Sequence, residues 1–123
     1  MEWLRALIKV ARGDSKTIRI TVRDKAGDLA PFNLTNASIY FTAKITVADK
    51  DSDAVIAKST VGGGITVIDA SLGIFEVGLT PGDTNIVPME YIYDVRIAKD
   101  GDVYSMEDPG TLKIGPVVRR VVA

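Results

Sequence analysis

Hydrophobic and polar positions alternate along most of this chain, which is the period of a half-buried strand rather than that of a helix. Phe75, Val77 and Leu79 alternate with Glu76, Gly78 and Thr80, and Tyr91, Tyr93, Val95 and Ile97 alternate with Ile92, Asp94 and Arg96. Two strands are predicted there. Thr80-Pro81-Gly82-Asp83 supplies a turn between them, and residues 85–88 must then carry the chain across before the second strand starts. That span is too long for a two-residue hairpin.

Elsewhere the pattern is read in the same way. In residues 1–10, Trp3, Leu4, Leu7 and Ile8 would make a helical stripe, while Leu4, Ala6, Ile8 and Val10 would make one face of a strand. The strand is preferred because Arg12-Gly13-Asp14 then turns the chain into Ile18, Ile20 and Val22 alternating with Arg19, Thr21 and Arg23, and a hairpin explains both segments. Pro31 to Asn36 reads as an irregular link whose Phe32 and Leu34 plug one end of a core. A strand follows with Ile39, Phe41 and Ala43 on one face, then an Asp-rich tip at residues 49–53 and a return strand over residues 54–60. Gly62-Gly63-Gly64 breaks the chain before a short strand at Ile65. Lys99-Asp100-Gly101-Asp102 predicts a tight hairpin, and Leu112 and Ile114 mark the inward side of the last strand.

Short strands separated by Gly, Asp and Pro turns predict an all-β fold, an immunoglobulin-like antiparallel β-sandwich, with no helix needed. A strand, a long crossing and a strand with Tyr at its start match the corner of that fold, where the Tyr hydroxyl bonds back to upstream backbone. Tyr91 is the corner residue. At 123 residues the chain is expected to be one domain, 1–123, with 116–123 a docking or mobile tail.

Composition narrows the chemistry. There is no cysteine and no histidine, which removes a Ser-His-Asp triad, a Cys-His pair and a typical zinc site within this chain. The net charge of −1 gives no general attraction to nucleic acid or to an anionic membrane, and no apolar run reaches the length of a membrane span. Charge is unevenly placed: the first 25 residues hold seven basic side chains against Glu2, Asp14 and Asp24, while residues 49–108 are mostly acidic. Two solvated faces would explain this, and so would head-to-tail contact between copies.

Candidate sites are few. Asp49, Asp51 and Asp53 have the spacing that opens a calcium loop, but the sixth position is Ala54 where glycine is needed and the twelfth is Thr60 where a bidentate Glu is needed. A solvated tip is expected, with no metal. Gly62-Gly63-Gly64 lacks the Lys-Ser/Thr ending of a phosphate loop. Glu76, Glu90 and Asp94 could in principle pair as acid and base, yet Glu76 and Asp94 fall on outward positions. Arg19, Arg23 and Lys44 with Tyr40 could form a basic, aromatic face for sugar or nucleic acid, and Arg12-Gly13-Asp14 is an integrin-type tripeptide that any basic Gly-Asp turn produces. No catalytic residue, metal ligand or cofactor-binding residue is expected.

The blocks G-D-S-K-T-I-R-I-T-V-R-D-K-A-G at 13–27, F-N-L-T-N-A-S-I-Y-F-T-A-K at 32–44, G-G-I-T-V-I-D-A-S-L-G-I-F-E-V-G-L-T-P-G-D-T at 63–84 and Y-I-Y-D-V-R-I at 91–97 form a familiar order. They resemble the N-terminal domain of the phage baseplate upper protein family and related tail and virion proteins, over about residues 13–114. The resemblance implies an immunoglobulin-like assembly module of a virion, present in several copies, without catalysis. Its partners would be copies of itself and other virion proteins, not nucleic acid or membrane, and it would be made in the host cytoplasm. The chain ends after the domain, which fits a connector or decoration protein. The alternative is a carbohydrate- or surface-binding module. Trp3, Leu7, Val117, Val118 and Val121 are the expected interface, because they lie outside the strands that close the core.

Overall fold

The computed structural model describes residues 2–3, 7–23, 30–106 and 109–118, with side chains from Leu7 onward. Ten strands and one turn of α-helix follow in order: β1 Glu2–Trp3, β2 Leu7–Ala11, β3 Lys16–Arg23, β4 Ser38–Lys44, β5 Ile56–Ser59, β6 Ile65–Asp69, β7 Ile74–Leu79, α1 Pro81–Thr84, β8 Glu90–Lys99, β9 Asp102–Ser105 and β10 Gly110–Gly115. The smaller sheet has the order β1-β3-β7-β6, and the larger β2-β10-β8-β4-β5 with β9 also on β8. This is the immunoglobulin arrangement, two sheets sharing one core. The named strands pair antiparallel except β2 and β10, which run parallel from Leu7 beside Thr111 to Ala11 beside Gly115.

The alternation predicted from sequence fills the space between the sheets. Ile18, Ile20 and Val22 of β3 and Phe75, Val77 and Leu79 of β7 face Ile39, Phe41 and Ala43 of β4, Tyr93, Val95 and Ile97 of β8, and Leu112 and Ile114 of β10, all nearly or wholly buried. Burying side chains of this size is worth about 1.5–3 kcal/mol each before chain entropy is set against it. Phe41 and Tyr93 stack with ring centroids 5.2 Å apart, and Leu34 closes one end as expected, with Phe32 packed beside it.

The predicted first hairpin does not form. β2 lies in the larger sheet and β3 in the smaller, so the Arg12-Gly13-Asp14 turn hands the chain from one sheet to the other. Alternation gives a strand's buried face but not its partner, and both strands keep their apolar faces inward by separating. The turn is held by α1: the buried Thr84 hydroxyl donates to the Asp14 carbonyl at 2.8 Å, the Gly13 amide donates to the Thr84 carbonyl at 3.3 Å, and Arg12 Nε donates to Asn85 Oδ1 at 3.1 Å. Gly13 is at φ 83°, where a side chain would be strained. The Arg-Gly-Asp tripeptide is therefore a structural corner.

α1 was not predicted, and its signal is the Thr80-Pro81-Gly82-Asp83 sequence itself. Asp83 N donates to Thr80 Oγ1 at 3.2 Å and Thr80 N donates to Asp83 Oδ2 at 2.7 Å, a reciprocal cap with Pro in the first turn. Asp83 also meets Lys58 Nζ at 2.8 Å, tying β5 of the larger sheet to the crossing that follows β7. Burial opposes ionisation of Asp83, but Lys58 and the Thr80 donors hold it below the ordinary carboxylate range. At the far side of the crossing Tyr91 Oη donates to the Val87 carbonyl at 2.6 Å, the corner bond that the sequence predicts.

Candidate interaction surfaces

The larger sheet turns outward residues of several strands into a groove of about 430 Å³. β4 supplies Tyr40, Thr42 and Lys44, β8 supplies Ile92, Asp94 and Arg96, and Ala57, Val103 and Pro109 border it. Asp94 stands opposite Thr42 across the β4–β8 ladder. On its other flank β9 stops at Ser105, opposite Arg96, and β10 starts at Gly110, opposite Tyr93, so Asp94 lies beside the break in the edge.

Polar groups in the groove are unequally satisfied. Lys44 Nζ donates to Asp51 Oδ1 at 2.7 Å and to the Asp49 carbonyl at 2.9 Å, and Arg96 Nε donates to Ser105 Oγ at 3.0 Å. Among the described residues, none donates a hydrogen bond to the carboxylate of Asp94, which is partly buried. Burial pushes its carboxyl above the usual range, while the charges of Arg96 and Lys44 pull it back. Among the described residues both bases donate hydrogen bonds elsewhere and the Asp94 carboxylate receives none. Beside them the Tyr40 ring is 41% exposed.

A second surface opens along one side of the sandwich. Among the described residues, β2 is the outer strand of the larger sheet and β1 covers β3 only at Val22 and Arg23, so the rest of β3 has no neighbour on that side. Val22 donates its amide to the Gly73 carbonyl beyond β7's start, so Ile18 and Ile20 face β7 and the amides of Thr17 and Arg19 face the open side. Leu7, Ile8, Lys9, Lys16 and Ile18 line a cleft of about 290 Å³ there. It is a pair of adjacent sheet edges with core residues at its base and cations on its rim.

Of the predicted interface residues whose side chains are described, Leu7 stands apart from Val117 and Val118. Leu7, 50% exposed, borders this cleft, whereas Val118 is fully exposed and Val117 partly buried beyond the other end of β10. From Thr111, beside Leu7, to Val117 is six residues, roughly 20 Å along a strand. Trp3 belongs to β1 at the edge of the smaller sheet, but its side chain lies outside the described residues, as does Val121. Arg19 and Arg23 are on the outer face of the smaller sheet and Tyr40 and Lys44 on that of the larger, so the basic, aromatic face considered above is not assembled. Arg19 instead pairs with Glu76, directly across the ladder, at 2.8 Å.

The Asp-rich tip also divides. Asp49 accepts from Thr46 N at 3.1 Å and Thr46 Oγ1 at 2.9 Å, and Asp51 pairs with Lys44. Among the described residues no three His, Cys, Asp or Glu side chains are grouped as a metal ion would require. The glycine triplet is no loose connection: the Gly63 amide donates to the Ser59 carbonyl at 2.9 Å and the Gly64 carbonyl accepts from Gly78 at 2.8 Å, with both glycines at positive φ. Among the described residues no helix is long and apolar enough to cross a membrane.

No family model matches the chain, and no curated protein does. Among solved structures it is similar to AggA, the major subunit of aggregative adherence fimbriae type I from Escherichia coli, with 11% identity over 94% of this chain and 93% of that one and a TM-score of 0.32. A likeness that loose carries no argument about function.

Proposed function

We propose that this chain is a non-enzymatic structural module of a phage or prophage particle, acting in the tail, baseplate, a connector or a decoration layer by binding copies of itself or other virion proteins. The observation that carries the assembly reading is the side of the sandwich where, among the described residues, β2 is outermost in its sheet and β3 below Val22 has no partner, with Ile8 and Ile18 lining the cleft between them. An unpaired edge beside apolar side chains is a template for an added strand. The virion setting rests on the four sequence blocks, whose turns and core strands resemble those of baseplate and tail modules. Weak contacts are enough for such a module, because repeated copies on a symmetric particle raise the effective concentration.

The test is mass spectrometry of particles purified after induction of the strain that encodes the chain. Multiple copies of the chain per particle are expected. Particles that lack it, with the chain left in the soluble fraction, would remove the virion reading. The second reading, a carbohydrate- or surface-binding module, is favoured by one observation, the exposed Tyr40 ring beside Asp94 and Arg96. Saccharide-dependent quenching or shift of tyrosine fluorescence that is lost in Tyr40→Ala would favour it.

A further inference from the structure

We infer that the groove over β4 and β8 receives the Val-x-Arg-x-Val stripe of residues 117–123 of a second copy, with an arginine of that segment bonded to Asp94. This deepens the assembly reading above and rests on it. The groove's carboxylate lacks a donor: Lys44 Nζ donates to Asp51 and Asp49 and Arg96 Nε to Ser105, and among the described residues none donates to the Asp94 side chain. A partly buried carboxylate left without one is costly, and a charge-assisted bond from an incoming cation removes that cost. Apart from Thr42 the rest of the lining is apolar, with Val47, Ile92 and Val103 among it, and the exposed Tyr40 ring offers a face on which a guanidinium can lie.

The segment has the matching pattern. Residues 117–122 read Val-Val-Arg-Arg-Val-Val, so in an extended chain either face presents one arginine bracketed by valines two residues away. Val118 is fully exposed. The contact is between copies because of where the strand leads. Lys113 pairs with Glu90, so Gly115 lies about six residues, roughly 20 Å, below the level of Asp94. Even Arg120, the farther arginine, follows Gly115 by only five residues, at most about 18 Å of extended chain, and β10 leads away from the groove. Its own groove is out of comfortable reach.

Light scattering of the full chain over a concentration series tests this. The wild type is expected to grow in mass with concentration. Asp94→Asn should weaken association about tenfold, the loss of one charge-assisted bond. Arg119→Asp with Arg120→Asp should remove the part of it that passes through the groove, and mixing that double variant with Asp94→Arg should restore that part. A monomeric wild type, whether the tail is free or folded on its own copy, overturns the inference. So does association that neither Asp94→Asn nor the tail double variant weakens, although that result leaves assembly through the β2–β3 side standing. If Asp94→Arg fails to fold, the Asp94→Asn and tail variants still decide.

Discussion

Replacing Tyr91 by Phe removes a single bond from the crossing between β7 and β8. The phenol ring is 2% exposed and keeps its packing in the variant, so what is lost is the 2.6 Å bond to the Val87 carbonyl. A neutral hydrogen bond of this kind contributes about 0.5–1.5 kcal/mol net. Val87 is 63% exposed, so water can reach its carbonyl once the phenol is gone, which argues for a loss of about 1 kcal/mol rather than the full penalty of an orphaned group. Unfolding entropy of about 2.1 cal/mol/K per residue over 123 residues makes 1 kcal/mol equal to about 4 °C in Tm. Urea unfolding should show a lower midpoint with unchanged slope, since the surface exposed on unfolding is the same. A Tyr91→Phe protein with wild-type Tm and midpoint would refute the corner as a stabilising device. A changed slope would mean that the crossing itself had rearranged.

Four further outcomes are expected. Asp94→Asn should raise Tm at pH 7: the folded pKa of Asp94 is raised from 3.8 by burial, so its cost to stability appears as pH rises through the folded value, and the gain should vanish below about pH 4. Asp83→Ala should be less stable at pH 7 and nearly equal to wild type in acid, because a carboxyl held below its ordinary value contributes stability above 3.8 that is lost as pH falls through the folded pKa. Spectrophotometric titration should find one tyrosine that ionises later than an exposed phenol, since burial raises Tyr91; stability is then intact below about pH 10 and falls above it. Gly73→Ala should cost at least about 2 kcal/mol by chemical unfolding, because Gly73 is at φ 70° and a Cβ there would run into the carbonyl oxygens of Val22 and Phe32.

Which residues face the core was legible in the sequence, because burial and period two are the same fact seen twice. Ile18, Ile20, Val22, Phe41, Val77 and Ile97 follow from it, and so does Tyr91, whose place after a long crossing implies a corner. Strand partnership was not legible. β2 and β3 each alternate as a hairpin would, and it is the parallel ladder with β10, distant in sequence, that takes β2 into the other sheet. The cap at Thr80 was present as a spacing, but a four-residue helix is too short to show a period. The groove was hidden for a different reason. Asp94, Lys44 and Tyr40 come from strands far apart in sequence, and Asp94 looks like any outward residue until the break between β9 and β10 is placed beside it. The same blindness grouped Arg19 and Arg23 with Lys44, which the two sheets put on opposite faces.

Hydrogen exchange of the full chain, free in dilute solution and in its concentrated or particle-bound state, tests assembly through the open side most directly. Free chain should exchange quickly at Thr17 and Arg19, whose amides point away from β7, and slowly at Ile18 and Ile20, whose amides point toward it. On assembly, Thr17 and Arg19 should gain protection while the buried amides stay as they were. Exchange at Thr17 and Arg19 that is the same in both states would contradict assembly through the β2–β3 side.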